Sequence, residues 1–139
     1  MIEVTKEHSS DRERKACMPY NNRQKGELYE AKAAEYLVQK GYRILERNYR
    51  RRGGELDIVA FKDGLLVVCE VKSRTGFNGG SSLEAVTYRK QMQISKMTAH
   101  YLLSHGFGGQ TAVRFDVIGF DGQGGLSHIE NAFEYCYDR

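Results

Sequence analysis

The sequence has few cysteines and no long apolar run, and each shortage excludes a class of protein. Its three cysteines, Cys17, Cys69 and Cys136, are scattered, without the close paired spacing that a zinc site or a disulfide scaffold requires. No segment is apolar for long enough to span a bilayer, and the opening residues lack the apolar core of a signal peptide. We therefore expect a cytoplasmic protein without structural zinc and without a membrane partner.

Neither sign of charge dominates the chain. There are 21 Lys and Arg residues against 18 Asp and Glu residues, for a net charge of +3, which permits nucleic-acid binding without requiring it. The 139 residues suit one globular domain. Residues 1–24 mix both charges with no apolar period, so we predict a flexible tail there, followed by a single domain at 25–139.

The first regular element is predicted to be a helix over residues 26–40. Ala31, Ala34 and Val38 recur there at helical spacing, and a glycine follows as a natural stop. Glu27 lies four residues before Ala31, on the same stripe. We therefore expect the carboxylate of Glu27 to face inward, where the helix packs.

The rest of the chain alternates strands with one further helix. That helix carries Ile94, Met97 and Tyr101 on one stripe, with Thr87 or Ser82 as its N-cap. The predicted order is strand 42–49, a charged turn at 50–54, strand 55–62, strand 65–73, a glycine-rich loop at 76–82, the helix to about 106, strand 111–120 and strand 126–133. This α-β-β-β-α-β-β order predicts an α/β fold with a mixed central sheet, an antiparallel start and helices on its faces.

The second and third strands are joined by Asp63-Gly64, which is a strong signal for a two-residue hairpin turn. The register of such a hairpin places Asp57 directly opposite Glu70, and Glu55 opposite Lys72. Directly opposed side chains have Cβ atoms roughly 4.5–5.5 Å apart. Two carboxylates at that separation can hold one divalent ion between them.

A metal ion explains this pairing of acids economically. Opposed carboxylates repel each other and raise each other's pKa unless a cation lies between them. Oxygen ligands without nearby Cys or His favour Mg²⁺ or Mn²⁺ over zinc. Lys72 could position or deprotonate an attacking water, or stabilise charge on a phosphate. The alternative is a solvated sheet face on which Asp57, Glu70 and Lys72 form only an ordinary cross-strand ion pair.

Basic residues bracket the hairpin in the sequence. They are Arg43, Arg47, Arg50, Arg51 and Arg52 before it, and Arg74, Arg89 and Lys90 after it. Guanidinium and ammonium groups hold phosphates against nearby carboxylates. We predict contacts with nucleic acid from Arg47, Arg50, Arg51, Arg52, Arg74 and Lys90. The alternative is a solvated run of charge on a turn.

These residues also resemble the motif of a known superfamily. Gly54-Glu55-Leu56-Asp57, followed thirteen residues after Asp57 by Glu70-Val71-Lys72, resembles the motif of the PD-(D/E)XK nucleases, with Leu56 in place of the proline. The further matches run from about residue 26 to 133 and are similar to the YraN-like family, which archaeal Holliday junction resolvases also resemble. They are Gly26-Glu27 with Ala31 and Ala34 in the first helix, then Gly41-Tyr42, Arg47-Asn48-Tyr49 and Phe115-Asp116-Val117.

The resemblance implies a restriction-endonuclease-like core of α-β-β-β-α-β order. It implies a metal site made of Asp57, Glu70 and the backbone carbonyl of Val71. By the same resemblance Lys72 is the catalytic lysine and Glu27 is an auxiliary acid. Gln91, or Lys90 beside it, matches a helix position that assists the site in several relatives.

The function expected from these observations is metal-dependent hydrolysis of phosphodiester bonds in DNA. A non-catalytic nucleic-acid-binding accessory protein in repair or processing is the main alternative, and a partner-binding scaffold is a third. The substrate stays open between a junction, a flap, a single strand and RNA. Cutting a junction symmetrically would favour a homodimer, because two cuts need two sites.

Overall fold

The computed structural model describes residues 22–73 and 86–136. Its elements are α1 (Asn22–Gln39), β1 (Arg43–Arg51), β2 (Gly54–Lys62), β3 (Leu65–Ser73), α2 (Tyr88–Ser104), β4 (Ala112–Phe120) and β5 (Leu126–Phe133). This order confirms the predicted α/β class. Neither helix in these ranges is long and apolar enough to cross a membrane. The glycine-rich loop, Arg74, Ser82 and most of the predicted tail lie outside the described residues.

The five strands form one mixed sheet in the order β1-β2-β3-β4-β5. The pairs β1–β2, β2–β3 and β4–β5 are antiparallel, whereas β3 and β4 are parallel. A parallel pair requires a long crossover connection, and α2 lies within that crossover. The predicted antiparallel start and mixed sheet are therefore confirmed.

The hairpin between β2 and β3 has the predicted turn and register. Asp63 and Gly64 have φ angles of 51° and 78°, the two positive values that a type I′ turn requires. The predicted register is present along the ladder as far as Ile58, which lies opposite Cys69. A two-residue turn with this geometry leaves the strands little freedom to slip.

Helix α1 turns a different face inward from the one that its alanine spacing predicts. It begins at Asn22, four residues before the predicted start, and Ala31 and Val38 are exposed. The buried residues are Glu30, Ala33, Ala34 and Leu37. The buried stripe contains a glutamate, so it is less hydrophobic than the neighbouring stripe of Ala31 and Val38. The hydrophobic spacing therefore predicted the wrong face.

The two helices cover opposite faces of the sheet. Neighbouring residues Ile58 and Val59 belong to different core clusters, Ile58 packing with α1 and Val59 with α2, as the alternation of a strand requires. Helix α2 contributes Ile94, Met97 and Tyr101 to its cluster. Its N-cap is Thr87, which accepts a hydrogen bond of 3.2 Å from the backbone N–H of Lys90. Thr87 is one of the two N-caps that the sequence predicts.

The turn between β1 and β2 is shorter than its arginine run predicts. Arg50 and Arg51 belong to β1, and only Arg52 and Gly53 lie in the turn. Gly53 has a φ angle of +98°, which favours glycine. The side-chain amide of Gln93 donates a hydrogen bond of 2.8 Å to the Gly53 carbonyl, so the turn is tied to α2.

A buried ion-pair network joins β4, β5 and Tyr42, the residue that precedes β1. Asp116 is fully buried and accepts hydrogen bonds of 2.8 Å from the guanidinium of Arg114 and 2.7 Å from Nε2 of His128. Arg114 also donates to the Tyr42 hydroxyl at 2.7 Å. Burial alone would raise the pKa of Asp116, but the hydrogen bonds from His128 and Arg114 outweigh it, and the pKa is lowered. This network stabilises the sheet on the α1 side.

Candidate active site

The site lies where the backbone pairing of β2 and β3 ends. The ladder stops with Ile58 opposite Cys69, one pair before Asp57 would face Glu70. Instead, Oδ2 of Asp57 accepts a hydrogen bond of 2.8 Å from the backbone N–H of Val71. Asp57 and Glu70 are therefore not directly paired on the backbone, yet their side chains are in hydrogen-bonding contact. Both residues are buried, at 7% and 8% exposed.

Helix α1 supplies Glu30 to this site instead of Glu27. Glu30 is 9% exposed, and its carboxyl contacts the side chains of Asp57 and Asn48. Its Oε2 atom is buried without a hydrogen-bond partner. Glu27 has a side chain that is 59% exposed and lies 3.6 Å from Nε of Arg23. The predicted inward position of Glu27 is wrong because the packed face of α1 is rotated toward Glu30.

Sequence reasoning missed Glu30, although a signal for it exists. Glu30, Ala34 and Leu37 follow the i, i+4, i+7 spacing of a packed helix face, and Ala33 completes the same stripe. An acid inside such a stripe needs a partner in the core, which is itself an indication of a site.

Asp57 disfavours the charged forms of Glu30 and Glu70, whereas the hydrogen bond with Glu30 lowers the pKa of Asp57 itself. Burial is the largest cause that raises the pKa of Glu70 to about 8, and the charge of Asp57 adds to it. Burial and the charge of Asp57 likewise raise the pKa of Glu30 to about 7. The pKa of Asp57 is raised by burial against the opposing hydrogen bond from the Val71 N–H. Three carboxyl groups in contact thus cannot all be ionised cheaply without a cation.

Two lysines border the acids, and each lowers the pKa of Glu70 against the effect of burial. Nζ of Lys90, on α2, lies 3.6 Å from Oε1 of Glu70. Lys72 acts through its charge from the same strand as Glu70. Of the two helix positions suggested by resemblance, it is therefore Lys90 that reaches the acids.

Gln91 points elsewhere. Its Nε2 donates a hydrogen bond of 2.9 Å to the Val86 carbonyl, and its Oε1 lies 3.5 Å from Sγ of Cys136. Both polar atoms of the amide are thus engaged away from the acids. The structure does not bring Gln91 into the site, and its predicted catalytic role stays a prediction.

The donors available to a metal are few. Across residues 22–73 and 86–136, no three His, Cys, Asp or Glu side chains are grouped as ligands of one ion. Asp57 and Glu70 would be two ligands, and the Val71 carbonyl stays a predicted third. A hard cation accepts such a set, because Mg²⁺ commonly keeps several waters and takes only one or two carboxylates.

The basic residues near the site do not share one surface. Nε of Arg50 lies 3.0 Å from Oε2 of Glu55, and these two residues are opposite each other in the β1–β2 ladder. The β2–β3 ladder keeps the predicted register but ends at Ile58, before it reaches Glu55, so the predicted pairing of Glu55 with Lys72 is not part of the ladder. Arg50 lines a small pocket beside Glu30 and Asn48, on the α1 side of the sheet.

The remaining arginines are distributed around the end of β1. The guanidinium of Arg51 lies over the ring of Tyr49, 4.9 Å from its centroid. Arg47 is exposed within β1, and Arg52 is exposed in the turn. Arg74 lies outside the described part of the chain. Their predicted contacts with nucleic acid stay predictions.

Comparison with known proteins gives the chain a family. Residues 29–120 match the family described as "Uncharacterised protein family UPF0102". A UPF0102 protein of Trichlorobacter lovleyi is 47% identical over 121 residues, covering 84% of this chain and 94% of the relative. A UPF0102 protein of Alkaliphilus oremlandii is 43% identical, covering 81% and 99%, and one of Persephonella marina is 42% identical, covering 81% and 96%. With buried acids inside the matched region and relatives aligned over most of their length, this chain belongs to the UPF0102 family.

Proposed function

We propose that this protein is a metal-dependent nuclease that hydrolyses phosphodiester bonds in DNA. The observation that carries the proposal is the convergence of three buried carboxyl groups, Glu30, Asp57 and Glu70, at the end of the β2–β3 ladder. Lys72 and Lys90 border them. Acids that bind a cation, next to lysines that bind phosphate, form the combination that phosphodiester hydrolysis requires.

A divalent cation fits these residues. The buried Oε2 of Glu30 has no hydrogen-bond partner. The pKa values of Glu30 and Glu70 are raised to about 7 and about 8, the latter even though Lys90 and Lys72 lower it. Asp57 and Glu70 would hold the ion, with the Val71 carbonyl as a third donor. An all-oxygen set favours Mg²⁺ or Mn²⁺.

Each residue of the site then has a separate task. A bound Mg²⁺ or Mn²⁺ supplies a Lewis acid and lowers the pKa of water. Lys72 holds a phosphate oxygen and stabilises the negative charge that develops on it. The backbone N–H of Val71 orients the Asp57 carboxylate through its 2.8 Å hydrogen bond. Glu30 supports Asp57 from α1, and Lys90 keeps Glu70 in place.

A nucleic-acid-binding accessory protein without cleavage is the second candidate. One observation favours it: in the described ranges, no third acidic, histidine or cysteine side chain completes a ligand set with Asp57 and Glu70. The same surface would then bind DNA through its lysines and arginines alone. Only a cleavage measurement separates the two candidates.

The decisive experiment is a cleavage assay with Mg²⁺ and with Mn²⁺. Its substrates are junction, flap, duplex and single-stranded DNA, together with single-stranded RNA. We expect metal-dependent cleavage of at least one DNA by the wild type, and loss of cleavage in Asp57→Ala and in Glu70→Ala. Lys72→Ala should lower the rate of the chemical step by roughly 10²-fold or more, because its role is with the phosphate.

DNA binding by the same variants is the control. Asp57→Ala and Glu70→Ala should still bind DNA, since they lose a metal ligand and keep every basic residue. If the wild type binds DNA but cuts no substrate with either metal, the accessory candidate replaces the nuclease. Preference for a junction would add the expectation of a two-fold dimer in solution.

A further inference from the structure

A cleft opens between the β1–β2 turn and the first turns of α2. It has a volume of about 480 Å³, and Gly53 lines one wall. Thr87, Arg89, Lys90 and Lys96 line the other wall. The cleft lies beside the acids, and one of its basic groups, Lys90, is already paired with Glu70.

One hydrogen bond joins the two walls of the cleft. The Gln93 amide donates its 2.8 Å hydrogen bond to the Gly53 carbonyl. A Cβ atom at Gly54 would lie only 2.8 Å from Cγ of Gln93, so glycine at this position allows the turn to approach the helix closely. This contact is a clasp between the β1–β2 turn and α2.

The helix that forms one wall carries positive charge alone. Over its 17 residues, α2 has Arg89, Lys90 and Lys96 and no Asp or Glu. The N-terminal end of a helix adds a partial positive charge, and the three basic side chains all line the cleft near that end. Such a surface favours an anion.

Lys90 connects the cleft with the acids. It lines the cleft, and its Nζ lies 3.6 Å from Oε1 of Glu70. An anion in the cleft would therefore lie beside a phosphate held at Asp57 and Glu70. A ligand that fills both places carries successive negative charges along one chain, as a polynucleotide backbone does.

We propose that this cleft binds the phosphate backbone of one nucleic-acid strand, next to the phosphate held at Asp57 and Glu70. This inference rests on the proposed nuclease function and assigns it a strand-binding subsite. Arg89 and Lys96 contact backbone phosphates, Lys90 bridges the subsite and the acids, and Met92 gives the cleft an apolar part that suits a sugar. The subsite positions the strand and carries no sequence specificity.

The test is the salt dependence of binding to a fluorescein-labelled single-stranded DNA oligonucleotide, measured in Ca²⁺ by fluorescence anisotropy. The variant Arg89→Gln/Lys96→Gln should bind roughly tenfold more weakly than the wild type. Its log–log salt slope should fall by about 0.7 for each phosphate that the variant no longer neutralises. Lys32→Gln/Arg43→Gln is the matched control, since it also removes two exposed positive charges. Its affinity should stay within about twofold, because Arg43 is on the order of 25 Å along β1 from the turn.

Equal losses of DNA affinity in the two double variants would overturn the subsite, because the loss would then follow from net charge alone. Gln93→Leu, which removes the clasp and keeps every charge, should also weaken binding, and unchanged affinity there would count against the cleft as the binding place. The two proposals fail separately. If the wild type binds DNA with the expected salt slopes but never cleaves it, the subsite proposal stands and the nuclease proposal fails. If the wild type cleaves DNA and the variant Arg89→Gln/Lys96→Gln binds it normally, the nuclease proposal stands and the subsite proposal fails.

Discussion

Glu30 is the residue whose position changes the interpretation of the site most. Its spacing from Ala34 and Leu37 places it on the packed face of α1, and this face delivers it to Asp57. Glu27, three residues earlier, lies at the flank of that face and remains exposed. The difference between an active-site acid and a surface acid on this helix is therefore one of rotation about the helix axis.

Glu30 should make the metal-free protein less stable as the pH rises. The pKa of Glu30 is 4.5 in its ordinary state and about 7 in the folded protein, so the folded state binds this proton more tightly than the unfolded state does. The resulting stability is complete below pH 4.5 and is lost as the pH rises through about 7. We expect the Tm of the wild type, measured with a chelator present, to fall by several degrees across this window. Glu30→Gln should fall less steeply.

Glu27→Gln is the matched control for this measurement. It removes an acid from the same helix at an exposed position, so its Tm should follow that of the wild type at every pH. A Glu30→Gln profile that also follows the wild type would show that the carboxyl of Glu30 is not held in the way the structure describes.

At the scale of elements, α1 and the β2–β3 hairpin together form the site. The hairpin brings Asp57 and Glu70 to one end of the sheet, and α1 lies across the same face as Ile58 and Cys69. Leu37 and Glu30 are both buried on the packed face of α1. Packing of the helix and assembly of the site are thus linked.

Leu37→Ala should destabilise the protein by about 2–5 kcal/mol, as expected for a leucine that is fully buried. Val38→Ala, next in the sequence but 57% exposed, should cost at most about 0.5 kcal/mol. Urea unfolding of both variants measures the difference. If the predicted stripe of Ala31, Ala34 and Val38 were the buried one, Val38→Ala would lose more stability than Leu37→Ala. That result would show that the predicted face is the packed one.

At the scale of the whole molecule, an acidic site and a basic cleft lie side by side. The acids occupy the end of the β2–β3 ladder, and the basic cleft lies beside them between the β1–β2 turn and α2. The Asp116 network occupies the α1 side of β4. A cation that binds at the acids should stabilise the entire fold, because its ligands lie on adjacent strands of one sheet.

Mn²⁺ should therefore raise the Tm of the wild type. A ligand at a hundred times its dissociation constant stabilises a protein by about 2.7 kcal/mol. Lys72→Ala should show the same rise, since the lysine is not a ligand, whereas Asp57→Ala should show none. Thermal unfolding with and without Mn²⁺ gives the answer directly. A rise of equal size in Asp57→Ala would place the ion elsewhere in the molecule.

The sequence by itself determined the elements and the chemistry of the hairpin. Asp63-Gly64 imposes one turn type, that turn imposes one register, and the register brings Asp57 near Glu70. Each of these steps is local, because a two-residue turn leaves no freedom between its strands. The bounds of β3 and β5 also agree with their predicted ranges.

Only the tertiary structure decided which residues join the acids from outside the hairpin. The rotation of α1 selects Glu30 over Glu27, and the position of α2 selects Lys90 over Gln91. These selections depend on how each helix packs on the sheet, because adjacent residues on a helix point about 100° apart and residues three positions apart about 60°. Likewise, the ladder ends before Asp57 because its carboxylate binds the backbone of Val71. Such side-chain competition for a backbone N–H is decided only once the strands have met.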